Sequence, residues 1–395
     1  MKILTVGECP YILSQSGRIH SDIIKILVKK NEVKSTVWNL DTTWFMSDED
    51  EKYRYEVEDK KICELYPLPS FSGQCVTALY DFIKEYKPEL IIFIGSYESF
   101  STLYAIKNLE IDAFKLISIF LIDSFPVNEK YLDLFTVSDY SIFTTERAFE
   151  ELNGIGGVEC KYIPYGPNLE KFKNLDYKKE KFRIMSSSKN ASTSSLASFM
   201  LAISQIRDCE IEPYLHTPYS IVGEYDIDLL MKRYNLRGYL NIPQGFVSLN
   251  DGLSDEEMNV EYNKSDVIVD VSVRSSTGLS LLEGMAAGCI PLVTRVGALE
   301  EIVSKLPEEC QFFVRSILYI GDNEKEYQIV DIEDLANKIL YLKELKQNNR
   351  KEFEKISRIV SKEAKKYSNE IFKKNIEEIV KDIEKNEGTI SLDII

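Results

Sequence analysis

Short apolar, β-branched runs alternate with helical patterns along most of the sequence, and this alternation constrains the fold more than any other feature. In the first half such runs lie at 2–6, 33–38, 88–94, 116–121 and 140–143. A helical pattern at 19–30 separates the first two runs, and a helix is also predicted between the last two. Runs that are apolar on both faces are typical of parallel strands covered by helices. The pattern predicts a Rossmann-like domain over residues 1–168.

The alternation is interrupted once and then resumes. Residues 161–168, KYIPYGPN, contain two prolines and a glycine, and a densely charged stretch follows at 169–181, which we interpret as a linker. Apolar runs then return at 182–186, 212–216, 239–242, 267–271 and 290–293. We predict a second Rossmann-like domain over residues 182–360. The predicted fold class is α/β, with two such domains facing a cleft.

The sequence after Asp331 is almost wholly helical, with Lys and Glu spaced about one turn apart. We interpret these charges as a solvated helix face, and the isoleucines between them as its buried stripe. A C-terminal helix is predicted over residues 361–387, returning to the first domain. Residues 388–395 are predicted to form a frayed tail.

Length and composition exclude several classes of protein. A chain of 395 residues with 44% hydrophobic and 28% charged residues is typical of two globular domains and not of a disordered protein. Its apolar runs are shorter than the roughly 20 residues that a membrane-spanning helix needs. The first residues, MKILTVG, resemble a strand and not a signal peptide, so we expect a cytoplasmic protein.

Charge and metal-binding residues narrow the possible ligands. The seven cysteines include no CxxC pair and are expected to be reduced, and two histidines are too few for a typical zinc site. The run of acidic residues at 48–51 is interpreted as solvated surface, so no metal or other cofactor is implied. A net charge of -16 opposes general affinity for nucleic acid.

In a two-domain α/β protein, ligands bind at loops that follow the strands, and two of these loops have phosphate-binding features. Residues 14–20, SQSGRIH, place a glycine before the first helix, which suits either a ligand loop or a generic turn. Residues 186–195, SSSKNASTSS, offer hydroxyls, backbone N–H groups and one cation, Lys189. They suit either a phosphate or an elaborate helix cap.

The third loop is part of residues 274–294, RSSTGLSLLEGMAAGCIPLVT, and it precedes a helix rich in small residues. Glu283 would lie in the second turn of that helix in a semi-buried position, where a carboxylate needs partners. It either bonds neighbouring backbone groups or accepts two hydroxyl hydrogens of a ribose.

These residues resemble the retaining glycosyltransferases of the GT-B class, specifically the large family four that uses nucleotide sugars. The resemblance covers most of the chain. It rests on a pattern whose members here are Gly278, Leu279, Glu283, Met285, Ala286, Gly288, Pro291, Val293, Gly297, Glu301 and Ile302. Residues 119–126, 137–146, 162–168 and 261–266 are similar to the family's acceptor-side segments, domain junction and pre-site helix.

The chain departs from the family pattern at three places. Ser275 stands where the family has a glutamate that contacts the transferred sugar, and Thr193 and Ser194 stand where it has an arginine and a lysine on the diphosphate. Residues 96–99, SYES, contain no histidine like the one that commonly contacts the donor sugar. Replacement cations are expected among Arg18, Lys189, Arg274 and Arg295.

The resemblance implies a retaining transferase that moves a sugar from a nucleotide-diphosphate donor to an acceptor hydroxyl. It assigns the ribose to Glu283 and the acceptor side to Ser16, His20, Tyr97 and Asp123. The donor phosphates are assigned to Gly17, Arg18, Ser187, Lys189, Asn190, Thr193, Ser194 and Arg274. The donor sugar is assigned to Ser275, Ser276, Thr277, Gly278 and Leu279.

The expected partners are a nucleotide sugar and an acceptor, either a glycan, a lipid-linked molecule or a small molecule. Two alternatives remain. One is a catalytically inactive homologue that serves as a binding or partner subunit. The other is a transferase that acts on modified DNA bases, which the acidic balance opposes.

Overall fold

The computed structural model describes residues 1–38, 53–57, 61–69, 73–107, 114–157, 159–177, 179, 181–207, 210–218, 224–243, 252–321 and 324–385. The predicted acidic run at 48–51 and the predicted tail at 388–395 lie outside these ranges. No helix within them is both long and apolar enough to cross a bilayer.

The first domain is built on an eight-stranded sheet with strand order β3-β4-β2-β1-β5-β6-β7-β8. All neighbouring strands are parallel except β3 and β4. Its elements are β1 (Lys2–Glu8), α1 (Gln15–Leu27), β2 (Glu32–Trp38), β3 (Tyr53–Val57), β4 (Lys61–Pro67), α2 (Gly73–Tyr86), β5 (Leu90–Gly95), α3 (Tyr97–Lys107), β6 (Lys115–Phe120), α4 (Leu132–Phe135), β7 (Tyr140–Phe143), α5 (Glu146–Leu152) and β8 (Glu159–Tyr162).

Both faces of this sheet are covered, as the apolar runs predict. Ile92 of the central strand β5 packs on the face that carries α1, and its neighbour Phe93 packs on the opposite face against α3. Every residue of β5 is buried. Successive side chains of one strand therefore supply two separate cores.

The second domain is built on a four-stranded parallel sheet with strand order β10-β9-β11-β12 and one compact core. The predicted strand at 239–242 is reduced to a single bridge between Asn241 and Tyr214. The elements are β9 (Phe182–Ser187), α6 (Leu196–Gln205), β10 (Ile211–His216), α7 (Ile227–Arg233), α8 (Asp255–Lys264), β11 (Val267–Asp270), α9 (Leu279–Ala286), β12 (Ile290–Val293), α10 (Gly297–Ser304), β13 (Ser316–Ile320), β14 (Glu326–Val330), α11 (Ile332–Asn348) and α12 (Arg350–Ala364).

The last helix, α13 (Asn369–Lys385), crosses back to the first domain. Its residues Phe372, Ile376 and Ile379 are buried in the core that also contains Ile19 and Ile23 of α1. The preceding helix α12 packs on α9 of the second domain. The chain therefore passes between the domains twice.

Hydrogen bonds and ion pairs hold the two domains together beside α9 and α10. Thr144 Oγ1 donates to the carbonyl of Ser276 at 3.0 Å, and the backbone N–H of Glu146 donates to Glu301 Oε2 at 2.8 Å. The turn between β13 and β14 also contacts the first domain, where Lys325 Nζ lies 2.6 Å from Glu98 Oε1. These contacts fix the width of the cleft between the two sheets.

Candidate functional site

A cleft of about 440 Å³ lies where the carboxyl ends of strands from both sheets meet. The loops after β1, β5 and β6 form one wall, and those after β9, β10 and β11 form the other. This is where open parallel sheets bind ligands. Twelve of the residues predicted from the sequence line it, namely Ser16, Arg18, Asp123, Ser187, Lys189, Thr193, Ser194, Arg274, Ser275, Ser276, Leu279 and Glu283.

Glu283 lies in the second turn of α9 and is 4% exposed. Tyr262 Oη of α8 donates a hydrogen bond to Glu283 Oε2 at 3.0 Å, and Arg18 Nη1 lies 3.1 Å from Oε1. Burial raises the pKa of this carboxyl to about 7, although Arg18 opposes the shift. Of the two interpretations made from the sequence, backbone bonding is wrong, because side chains hold both oxygens.

Arg18 reaches Glu283 from the other domain. Ser14 caps α1 by accepting a hydrogen bond from the N–H of Gly17 at 3.0 Å, which places Arg18 in the first turn facing the cleft. Its Nη1 also lies 3.1 Å from Asp255 Oδ1. The guanidinium therefore contacts two carboxylates of the second domain, and its assignment to the donor phosphates stays a prediction.

The loop after β9 brings hydroxyls and a cation to the cleft. Ser187, Lys189, Thr193 and Ser194 line it, and the carbonyl of Thr193 accepts a hydrogen bond from the N–H of Val273 at 2.9 Å. Lys189 is exposed and forms no ion pair with any residue in the described ranges. Its charge is therefore available to a ligand.

The loop before α9 is fixed by contacts to both domains. The N–H of Ser275 donates to the carbonyl of Asp123 at 3.1 Å, and Ser276 Oγ donates to Gln15 Oε1 at 3.1 Å. Arg274 Nη1 lies 3.2 Å from Asp123 Oδ2. Three residues predicted to contact the donor therefore also join the two walls.

The structure corrects the placement of three predicted site residues. His20 is fully buried behind the first sheet, bonded to Thr5 Oγ1 at 2.8 Å. Tyr97 is 2% exposed and packs beneath Lys325. The amide of Asn190 holds the backbone of Tyr225.

Gly17, Thr277 and Gly278 also do not line the cleft, although they shape its loops. The replacement cation Arg295 lies outside it too, stacked 3.7 Å from the ring centroid of Phe313 and paired with Glu300. Sequence reasoning missed Glu8 and Trp38, which line the cleft, Tyr262, which holds Glu283, and Asp255, which pairs with Arg18. Only Tyr262 lay in a segment that the resemblance had singled out, at 261–266.

No protein-family model and no curated protein matches this sequence. Solved structures do match across nearly the whole chain. Sucrose-phosphate synthase from Thermosynechococcus elongatus is 14% identical, covering 97% of this chain and 99% of its own, with a TM-score of 0.73. A glycosyltransferase from Rickettsia africae ESF-5 is 15% identical, covering 98% and 99%, with a TM-score of 0.69.

A third match is an alpha,alpha-trehalose-phosphate synthase (UDP-forming) from Burkholderia xenovorans, solved in complex with glucose-6-phosphate. It is 10% identical over 97% of this chain and 100% of its own, with a TM-score of 0.67. Identities this low concern the fold alone. The chain has the two-domain α/β fold of the GT-B glycosyltransferases.

Proposed function

We propose that the protein is a glycosyltransferase that moves a sugar from a nucleotide-diphosphate donor to an acceptor hydroxyl with retained configuration. The carrying observation is the position of Glu283. This buried carboxylate faces the same cleft as Lys189, which has no ion-pair partner in the described ranges, in a GT-B fold. We take Glu283 as the hydrogen-bond acceptor for the ribose hydroxyls and Lys189 as the cation for the diphosphate, and both line the same cleft.

Different parts of the cleft would bind the ribose, the diphosphate and the sugar of the donor. Glu283 would accept hydrogen bonds from two ribose hydroxyls, since each carboxylate oxygen keeps a free lone pair beside Arg18 or Tyr262. Lys189, Thr193 and Ser194 would bind the diphosphate. Ser275, Ser276 and Leu279 would lie against the transferred sugar.

The reaction needs no nucleophile from the protein. The bond between the anomeric carbon and the leaving phosphate oxygen breaks, and the acceptor oxygen bonds to the same face of that carbon. The acceptor proton passes to a phosphate oxygen, so the products are a glycoside and a nucleoside diphosphate. The contribution of the chain is to hold both partners and to stabilise charge on the diphosphate, mainly through Lys189.

Calorimetry with UDP, GDP, ADP and their common sugars tests this proposal, together with an assay for nucleoside diphosphate release. We expect one nucleotide to bind, Glu283→Ala to weaken it at least tenfold, and its sugar to be turned over. Glu354→Ala, which removes an exposed carboxylate of α12, serves as the matched control. Absence of binding by every nucleotide would contradict the donor site.

One observation favours a second candidate, an inactive homologue that binds a nucleotide without turnover. Ser275 occupies the position of the family's sugar-contacting glutamate, and its side chain is only 8% exposed. In that case the calorimetric experiment would show nucleotide binding, while no diphosphate would be released with any acceptor.

A further inference from the structure

We propose that the acceptor is a neutral, polyhydroxylated molecule, a sugar or polyol without a phosphate group. The inference rests on the proposed function and concerns the cleft wall contributed by the first domain. We call this surface the acceptor wall, and its polar and aromatic members are Glu8, Gln15, Trp38, Ser96, Ser99 and Asp123.

The acceptor wall is rich in hydrogen-bond acceptors. Glu8 and Asp123 contribute carboxylates, and Ser96 and Ser99 contribute hydroxyls that accept as well as donate. Sugar hydroxyls are donors that carboxylates bind well, whereas a phosphate has only acceptor oxygens when ionised. Arg274 balances the charge of Asp123, so the selectivity does not come from repulsion. A phosphate needs cations or N–H donors, and a wall of carboxylates and hydroxyls therefore suits the hydroxyl groups of a polyol better.

The cations around the acceptor wall already have carboxylate partners. Arg18 lies 3.1 Å from both Glu283 and Asp255, and Arg274 lies 3.2 Å from Asp123. Lys325, on the far side of Tyr97, is paired with Glu98 at 2.6 Å. Within the described ranges, the unpaired cation of the cleft lining is Lys189, and it belongs to the opposite, second-domain wall.

Two other arginines near the cleft face elsewhere. Arg147 and Arg295 line a separate pocket of about 270 Å³ beyond Asp123, together with Glu300 and Glu326. The two carboxylates balance the two guanidinium groups. That pocket therefore gives the acceptor wall no positive charge.

Trp38 adds an apolar surface suited to a sugar ring. Its indole lies beside Phe93, with ring centroids 6.1 Å apart, and lines the cleft at the end of β2. Gly95 makes room for it, because a Cβ at that position would lie 3.3 Å from Trp38 Cζ2. An aromatic face packs against the C–H groups of a sugar, while neighbouring carboxylates bind its hydroxyls.

The test compares free and phosphorylated acceptors, using the nucleotide sugar that binds in calorimetry. Release of nucleoside diphosphate is measured with glucose, fructose and sorbitol, and with the 6-phosphate of each. We expect at least one free compound to give a kcat/KM about tenfold or more above that of its phosphate, which corresponds to one matched hydrogen bond or charge contact.

Substitution of the wall carboxylate gives a second readout. Asp123→Asn is expected to lower the preference for the free compound over its phosphate about tenfold, because it also releases Arg274 from its ion pair. The dissociation constant of the nucleotide is measured alongside. Asp133→Asn, the same change at an exposed position of α4, is the control and is expected to change neither quantity.

The inference would be overturned if no free compound exceeded its phosphate in kcat/KM, and also if the protein released diphosphate equally with and without the free compounds. Both results would leave nucleotide binding intact. Absence of binding by any nucleotide is a different result, because it overturns the proposed function and the acceptor assignment falls with it.

Discussion

Arg18 and Glu283 belong to different domains, yet Arg18 Nη1 lies 3.1 Å from Glu283 Oε1. The carboxylate is buried, and a cation from the same domain does not contact it in the described ranges. Helix α1 therefore supplies the charge that makes an ionised Glu283 tolerable in the second domain. The packing of the domains and the charge state of the candidate ribose ligand are coupled.

Arg18→Met is expected to reduce the free energy of unfolding by about 3 kcal/mol at pH 8, because it leaves a buried carboxylate without its cation. Urea unfolding measures the loss. Arg350→Met, which removes an exposed arginine paired with Glu354, is the control and should cost less than about 1 kcal/mol.

The double variant Arg18→Met, Glu283→Gln should regain more than half of the lost stability, because the stranded charge is gone. Simple addition of the two single effects would contradict a direct pairing.

The raised pKa of Glu283 gives the protein a pH-dependent stability. The pKa is about 7 in the folded chain against an ordinary 4.5, so the folded state binds the proton more tightly between these values. Stability from this group is therefore full below pH 4.5 and lost as the pH rises to 7. The loss amounts to as much as about 3 kcal/mol.

Glu283→Gln isolates this effect. As the pH rises from 4.5 to 7, the free energy of unfolding of the wild type should fall relative to that of the variant. A constant difference across that range would show that Glu283 is not desolvated.

The fold was largely predictable, because strands such as β5 are apolar on both faces. Such strands are typical of parallel sheets covered by helices on both sides. The pair β3 and β4 and the hairpin of β13 and β14 were not predicted. Ile317 and Ile320 of β13 are 70% and 54% exposed. Because this strand has no buried face, its sequence does not show the alternation of apolar and polar residues by which a strand is recognised. The turn that follows β13 is held instead by contacts with the first domain, such as Lys325 with Glu98, which lie far away in the chain.

The candidate site was predictable where a loop follows a strand and less so elsewhere. Lys189, Ser275 and Glu283 lie in the cleft because chain order alone places their loops at carboxyl ends of strands. His20 was misplaced, since proximity to Gly17 does not show which face of α1 is turned to the sheet. Trp38 is the last residue of β2, a strand without a recognisable motif. Its position in the cleft follows only from the assembled fold.

Gly297→Ala should destabilise the protein and disturb the cleft. The residue has φ +44°, and a Cβ there would lie 2.2 Å from the carbonyl oxygen of Ser275. We expect a loss of about 3 kcal/mol or more and weaker nucleotide binding, because the loop before α9 must move.

Gly238→Ala separates backbone strain from this collision. Gly238 also has a positive φ, of +74°, but a Cβ there meets no atom within 4 Å. Its substitution should cost only about 1 kcal/mol and leave nucleotide affinity unchanged. Equal losses in the two variants would show that the contact with Ser275 is unimportant.

Lys189→Ala tests the assignment of the diphosphate. Because Lys189 is exposed and unpaired within the described ranges, its removal should weaken a nucleoside diphosphate about 5- to 20-fold, with little effect on the nucleoside. Lys232→Ala, at an exposed position of α7, should alter neither. Because a charge contact is screened by salt, the gap between wild type and Lys189→Ala should narrow as ionic strength rises. A gap that is the same for nucleoside and diphosphate, or independent of salt, would place the phosphates elsewhere in the cleft.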